Sequence, residues 1–365
     1  MYIVTGLSMG GAEQQVCLLA DEFAKQSDQV LLISMTGLAV CAPSSTSVLI
    51  EELRMERSLF SFIRAFLQVV RLMWSFRPDV VHSHMVHANI FARMLRLVVR
   101  VPRLISTAHS SNEGGWFRMF AYRATDFLTD LTTNVSHSAV DSFLQKKASR
   151  IGRIKAVHNG IDLHRFKFSQ ASRDMCRDEL GIDSSVRLVV SVGRLELDKD
   201  YPNLINAFAL SKQQAADLEL VIIGVGSLKD ELQNMVTKLG IEHCVHFLGL
   251  RFNVEDWMCG ADLYVLSSAW EGFGLVLAEA MACERVVVAT DCGGVKEVVG
   301  PFGRLVAPQN SEFLSATMLE CLSFSKDENA VIGKSSRGWI ESNFSIKAIS
   351  REWRALYSKD LTENN

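Results

Sequence analysis

Glu271 and Glu279 stand eight positions apart in Glu271-Gly-Phe-Gly-Leu-Val-Leu-Ala-Glu279, around a Gly272-Phe273-Gly274 turn that follows the apolar run 261–266. Glycines at a strand-to-helix turn let the backbone approach a ligand closely. Amides at about 273–276, Phe273 to Leu275 among them, would face out from the helix start as an anion site. Glu279 then falls near the second helical turn, about 12 Å of rise from Glu271 at 1.5 Å per residue. A carboxylate can accept hydrogen bonds from a diol, so one acid suits a ribose and the other suits sugar hydroxyls across the phosphate site. A capping acid beside one exposed acid is the plainer alternative for either residue alone.

Two cations five apart, Arg194 and Lys199, follow another apolar run in Ser191-Val-Gly-Arg-Leu-Glu-Leu-Asp-Lys-Asp200. A guanidinium fork and an ammonium point charge together suit a diphosphate, and two solvated loop cations are the bland reading. Asp198-Lys199-Asp200 also fits the Asp-x-Asp pattern of some divalent-metal sites, but the lysine between the acids argues against a metal. Gly10 and Gly11 open a helix after the first apolar run, where amides and helix dipole favour phosphate; a plain tight turn explains them equally well. No GxGxxG and no acid for a nicotinamide ribose accompanies them. His82 and His84 share one face of a strand with His87 beyond, yet no carboxylate or cysteine joins them at ligand spacing, so no metal is expected.

These groups sit on a repeating framework. Short apolar runs alternate with helical periodicity, which reads as βα units and parallel sheets. Strands are expected near 2–6, 29–34, 48–51, 79–83, 103–108, 131–135 and 153–158 in the first half. In the second they fall near 187–193, 218–224, 244–248, 262–266, 286–290 and 304–306. Helices are expected near 12–26, 58–76, 87–99, 115–128 and 138–147, then 201–214, 227–239, 254–259, 273–282, 294–299, 311–323 and 346–358. Three segments result: a first domain over 1–165, a second over 166–342, and a tail over 343–365 whose helix packs back on the first domain. The first strand begins almost at Met1, and disorder is expected over 359–365. Two doubly wound domains would leave a cleft at the carboxyl ends of their strands.

The set as a whole resembles the GT4 family of retaining glycosyltransferases. Glu271 to Glu279 looks like its EX7E signature. Gly193-Arg-Leu195 with Lys199, Gly224-Val-Gly226, Phe247-Leu-Gly249, Ala261-Asp262, Asn159-Gly-Ile-Asp162 and Gly293-Gly-Val-Lys-Glu297 follow in the family's order. The resemblance implies an α/β GT-B fold, with two Rossmann-like domains facing across a cleft. It implies that Arg194 and Lys199 grip the diphosphate of a nucleotide-sugar donor, a UDP-sugar, and that Glu279 takes the ribose. Glu271, Gly272, Gly274 and the amides of Phe273 to Leu275 would meet the donor sugar and phosphates, with Gly10 and Gly11 on the opposite domain. His109, in Ser106-Thr-Ala-His-Ser110, matches the histidine such enzymes place beside the transferred sugar; a satisfied loop histidine is its alternative. The shortened first strand departs from the family's pattern. The expected reaction is metal-independent hexosyl or N-acetylhexosaminyl transfer, without a cofactor, to a glycan or polyprenyl-linked acceptor in surface-polysaccharide, lipopolysaccharide or capsule synthesis. A donor-binding subunit without transfer activity, an epimerase and a phosphorylase of the same architecture are the other readings.

Composition narrows the partners. Of 365 residues, 48% are hydrophobic and 22% charged, with a net charge of −3. Residues 1–165 hold 18 Lys/Arg against 13 Asp/Glu, while 166–365 hold 20 against 28. Nucleic acid is a poor partner for a mildly acidic chain with no stacking platform. The stretch 57–77, with Arg57, Arg64, Arg71, Arg77 and Trp74, is helical in period; it packs on a sheet or lies on an anionic membrane. The eight scattered cysteines, without a CxxC pair, fit a reduced, cytoplasmic setting with room for peripheral membrane contact. No run of 18 or more apolar residues occurs.

Overall fold

The computed structural model describes residues 1–111 and 113–358, so the tail over 359–365 lies outside the described residues. Two compact units emerge: Met1–Gly160 with the helix that starts at Ile346, and Ile161–Ser345. The boundaries fall at 160/161 and 345/346 rather than at 165 and 342. The reason is local: the Ile161 amide donates to Phe344 O at 2.7 Å and Ile161 bridges Ser345, which fastens the chain to the second unit from Ile161 onward.

In the first unit seven parallel strands are ordered β3-β2-β1-β4-β5-β6-β7: β1 (Tyr2–Gly6), β2 (Leu31–Thr36), β3 (Leu49–Glu52), β4 (Val80–His84), β5 (Arg103–Ala108), β6 (Leu131–Asn134) and β7 (Ile154–Ala156). The second unit orders six as β10-β9-β8-β11-β12-β13: β8 (Arg187–Val192), β9 (Leu218–Ile223), β10 (Val245–Gly249), β11 (Leu263–Leu266), β12 (Val286–Thr290) and β13 (Arg304–Val306). Every pairing is parallel. Strands covered on both faces are apolar throughout rather than alternating, as Leu188-Val189-Val190 and Leu263-Tyr264-Val265, all fully buried, illustrate. In each sheet the order reverses once, between β1 and β4 and between β8 and β11. Loops leave such a switch point in opposite directions and open a crevice at the carboxyl ends of the strands.

The helix Ile346–Ser358 belongs to the first unit, where Ile349, Trp353 and Leu356 share a core with Val16, Ala20 and Phe23 of Gly11–Lys25. The helix Leu59–Phe76 buries Ser61, Ala65, Val69 and Met73. By length and mean hydropathy (1.3) it could cross a membrane, but it carries Arg64 and Arg71 and its buried side completes the core that β1, β2 and β4 share. Two helices have no counterpart in the sequence expectation. Gln170–Leu180 buries only Cys176 and Arg177, and Lys326–Phe344 turns Gly333 and Ser336 inward beside Ile340 and Phe344. Neither shows an apolar stripe, although Ser325 and Glu328 form a capping box before the second.

Candidate active site

The switch point of the second sheet gathers charge. After β8 the chain runs through Gly193 and Arg194 into a short 3-10 turn, Leu197–Lys199, and the loop after β11 comes back beside it: Ala269 N donates to Asp198 O at 2.9 Å and Ser267 Oγ to Lys199 O at 2.9 Å. The two loops are joined by side chains as well. Lys199 Nζ donates to Glu271 Oε1 at 2.5 Å, and Ser268 Oγ donates to the same oxygen at 2.8 Å. Asp198 sits between the cations, 3.2 Å from Arg194 Nη2 and 3.6 Å from Lys199 Nζ. Arg194 is 66% exposed and Lys199 only 15%, so Lys199 is the fixed charge and Arg194 the one free to swing onto an incoming anion. Asp200, the other half of the Asp-x-Asp pattern, caps the helix Tyr201–Gln214 by accepting from Asn203 N.

Two glycines make this geometry possible by close approach. A Cβ on Gly293 would stand 1.8 Å from Glu271 O, and one on Gly224 1.8 Å from Gly193 O. Any side chain there would push apart the loops that carry Glu271 and Arg194. The helix expected from 273 begins at Leu275, because Gly274 takes a left-handed φ of 88° as its N-cap; no side chain caps it. Its first amides therefore lack intrahelical partners, as at any helix start. Phe273 is buried and packs edge-on against Phe344, so its ring belongs to the core.

Glu279 differs from Glu271. It is 8% exposed, and burial pushes its carboxyl up to about 7; Arg165 opposes the shift and Glu255 adds to it. Arg165 is itself paired with Glu255 at 2.8 Å. Glu279 is thus a buried carboxyl that keeps its proton up to about pH 7, with no hydrogen bond to Lys199 among the described residues. Ser268, Arg165 and Glu255 escape sequence reasoning. Ser268 lies three residues before the signature stretch, and Arg165 reaches Glu255 across 90 residues, which no local pattern signals.

In the first unit, Gly10 precedes the helix Gly11–Lys25. Glu13 folds back over it: its carboxylate takes Ser8 Oγ at 2.6 Å and lies where a Cβ on Gly10 would be, 2.4 Å away. A phosphate at this helix start would have to displace that acid. His109 follows β5, and its Nε2 lies 3.0 Å from His84 Nδ1 at the end of β4. Burial pushes His109 down to about 4 and His84 well below the usual imidazole range, so the pair is neutral at neutral pH. His82 is satisfied by Tyr357 OH (2.7 Å) and Thr107 Oγ1 (2.6 Å). The turn after β4 is strained: Met85, not a glycine, has φ 71° and ψ 156°. Glu113 holds it, accepting from Val86 N at 3.1 Å and from His109 N at 2.9 Å. Glu113 carries no sequence signal either; burial raises its carboxyl against the pull of these amides.

Two family models match the chain: "Glycosyltransferase Family 4" over residues 9–165 and "Glycosyl transferases group 1" over 172–339. Among curated proteins, the chain is 30% identical over 240 residues to the Campylobacter jejuni N-acetylgalactosamine-N,N'-diacetylbacillosaminyl-diphospho-undecaprenol 4-alpha-N-acetylgalactosaminyltransferase, covering 64% of this chain and 63% of that protein. It is 30% identical over 242 residues to the N-acetyl-alpha-D-glucosaminyl L-malate synthase of Bacillus anthracis, covering 65% and 61%. The matches thus span somewhat less than two thirds of these relatives' lengths. Anabaena HepE, solved in complex with UDP and glucose, shares the fold at a TM-score of 0.85 and 22% identity, over 98% of this chain and 99% of that one. With both halves matched in order and two doubly wound parallel sheets in the fold, the chain belongs to the GT4 family of glycosyltransferases, with the GT-B fold.

Proposed function

We propose that this chain is a retaining glycosyltransferase that moves a sugar from a UDP-sugar to a lipid-linked or surface-glycan acceptor. The observation that carries the reading is the junction at the second switch point. Lys199 and Glu271 are paired across two loops, Arg194 is within reach, an uncapped helix start lies between the two acids of the signature, and Glu279 is buried behind it. An anion site next to two hydroxyl acceptors is what a sugar joined to a nucleoside diphosphate requires.

In this reading the donor diphosphate takes the Lys199 ammonium, the Arg194 fork and the first amides of Leu275–Ala282. Glu279 accepts the ribose hydroxyls. Glu271, whose Oε1 is occupied by Lys199 and Ser268, offers Oε2 to the transferred sugar. The bond from the anomeric carbon to the phosphate oxygen breaks as the acceptor oxygen attacks the same face, and the acceptor proton passes to the departing diphosphate. Lys199, Arg194 and the amides then stabilise charge that develops on the leaving group, where fixed donors act most strongly. Within the first unit, Gly10, Gly11 and neutral His109 are assigned as ligand-facing, with His109 a hydrogen-bond partner for a sugar hydroxyl. No metal or cofactor is assigned. The chain works in a reducing, cytoplasmic setting at a membrane surface; the cationic helix Leu59–Phe76 supports the last point.

The test is a panel of nucleotide sugars ranked by thermal shift, followed by donor hydrolysis and transfer. A donor at a hundred times its Kd stabilises the fold by about 2.7 kcal/mol. Unchanged donor affinity and turnover in both Lys199→Ala and Glu279→Ala would sink the assignment.

A further inference from the structure

The pairing of His84 with His109 leaves one ring nitrogen unaccounted for. Strand register sets the pair: His84 stands opposite Thr107 on β5 and His109 follows just beyond it, which brings His84 Nδ1 to 3.0 Å from His109 Nε2. Burial lowers both imidazoles, so each is neutral at neutral pH, with one donor and one acceptor nitrogen apiece. His84 is 1% exposed, and its Nε2 has no hydrogen-bond partner among the described residues. The rings packed against it do not supply one. Tyr2 lies 5.9 Å away between centroids, and both nitrogens of His82, whose ring is 4.0 Å away, are taken by Tyr357 and Thr107. Two arrangements of the shared hydrogen remain. If His109 donated from Nε2, His84 would carry its own hydrogen on Nε2, as a buried N–H without an acceptor. If His84 donates from Nδ1, its unpartnered nitrogen is a bare lone pair. Buried N–H groups without an acceptor are the rarer defect in folded proteins, so the second arrangement is favoured. It also fixes His109, because a ring whose Nε2 accepts must carry its hydrogen on Nδ1.

We propose that His84 is a positioning residue that holds His109 in its Nδ1–H form, so that His109 meets a sugar oxygen as a donor through Nδ1 and cannot serve as a base through Nε2. The sugar contact rests on the glycosyltransferase reading; the tautomer does not. His109 is the more exposed of the two rings and so the one that a ligand can reach. The backbone keeps the strand ends in place beneath the pair: Met85 N donates to Thr107 O at 3.1 Å, and Glu113 accepts from His109 N at 2.9 Å. An unconstrained imidazole favours the opposite form, with hydrogen on Nε2, so the assignment is a departure that a measurement can see.

The test is long-range proton–nitrogen correlation NMR on the full chain labelled with 15N-histidine near neutral pH, with the His109 signals assigned by their loss in His109→Asn. In the parent, His109 shows a protonated Nδ1 and a bare Nε2. His84→Leu, which removes the donor, returns His109 to the Nε2–H form. His84→Asn, whose amide donates from about the place of Nδ1, keeps the Nδ1–H form. In transfer assays His84→Leu lowers kcat about tenfold with KM for the nucleotide sugar unchanged, and His84→Asn recovers most of that loss, a split that simple destabilisation would not produce. Should His84→Leu fail to fold, the parent and His84→Asn spectra still decide. An Nε2–H pattern at His109 in the parent, or an Nδ1–H pattern that persists in folded His84→Leu, would overturn the proposal. UDP binding and transfer by the parent are measured alongside. If the parent shows the Nδ1–H form and neither binds UDP nor transfers sugar, the transferase reading fails and the pairing survives. Transfer by a parent whose His109 carries its hydrogen on Nε2 has the opposite meaning.

Discussion

The turn after β11 and the turn after β4 occupy the same topological position in their sheets, each at the place where strand order reverses, yet they are built from opposite materials. The first links Glu271, Lys199, Asp198 and Arg194 in a chain of ion pairs. The second gathers two buried neutral imidazoles, a strained methionine and an apolar groove. Topology thus supplies a crevice, and side chains decide what enters it. A crevice for a nucleoside diphosphate needs fixed cations whose partners hold them until a ligand arrives. The buried imidazoles of the second turn, neutral at neutral pH, offer hydrogen bonds without fixed charge.

The largest test of this contrast is Lys199→Ala. Removing a fixed donor at a developing charge costs about 10²–10³ in turnover, and the loss appears in single-turnover transfer while the melting temperature moves little. Lys199→Arg should restore part of the rate, because a cation returns without the compact geometry that reaches Glu271. A drop of less than about fivefold in the alanine variant would leave the charged turn without a catalytic task.

Glu279 sharpens the same comparison through pH. Its folded carboxyl titrates near 7 against an ordinary 4.5, so the fold holds this proton more tightly than the unfolded chain does. Stability from this group is therefore complete below about pH 4.5, declines as pH rises through that window, and is gone above 7. Glu279→Gln removes the buried charge. Its gain in stability grows between pH 5 and 8 and reaches up to about 3 kcal/mol. On the proposed ribose contact, the same variant binds donor less well, since an amide replaces the carboxylate. Thermal denaturation across that range decides: a stability difference independent of pH would mean that Glu279 is not held near neutrality.

Much of this contrast is legible in the sequence alone, and the rest is hidden for physical reasons. Strands β5 and β12 fall where their runs predict, since burial on both faces leaves an apolar word in the sequence. The helix Lys326–Phe344 stays hidden because a face of Gly333 and Ser336 packs closely without being hydrophobic. The spacing of Glu271 and Glu279 is readable, but not that Glu271 is held by Lys199 from 72 residues away, nor that Arg165 and Glu255 stand near Glu279. The same limit hides the pairing of His84 with His109, which lie on neighbouring strands 25 residues apart. Local chemistry is written in the sequence; partners brought together by sheet order are not.

His109→Asn probes the neutral side. An asparagine keeps hydrogen-bonding capacity but loses the ring nitrogen near His84, so transfer should fall about tenfold with UDP affinity unchanged. Because burial holds the imidazole at about 4, the parent's rate should show no inflection attributable to this residue between pH 6 and 8. A histidine-type inflection in that interval, abolished by the substitution, would place a charge in the turn and erase the contrast between the two crevices.

The smallest expected effect lies on the outer face of Leu59–Phe76. Phe60, Ile63, Leu67 and Trp74 are exposed at spacings of three, four and seven along this helix, interleaved with the exposed Arg64 and Arg71. An apolar stripe with cations beside it is what an anionic bilayer surface would hold, and each such cation contributes about 1 kcal/mol. Arg71→Ala should therefore lower partitioning onto phosphatidylserine-containing vesicles about fivefold in a flotation assay, and the loss should shrink as salt screens the surface. Because the buried side of the helix is Ser61, Ala65, Val69 and Met73, the substitution leaves the core untouched and the melting temperature serves as control. Equal flotation of parent and variant at low salt would leave this face of the helix without a membrane contact.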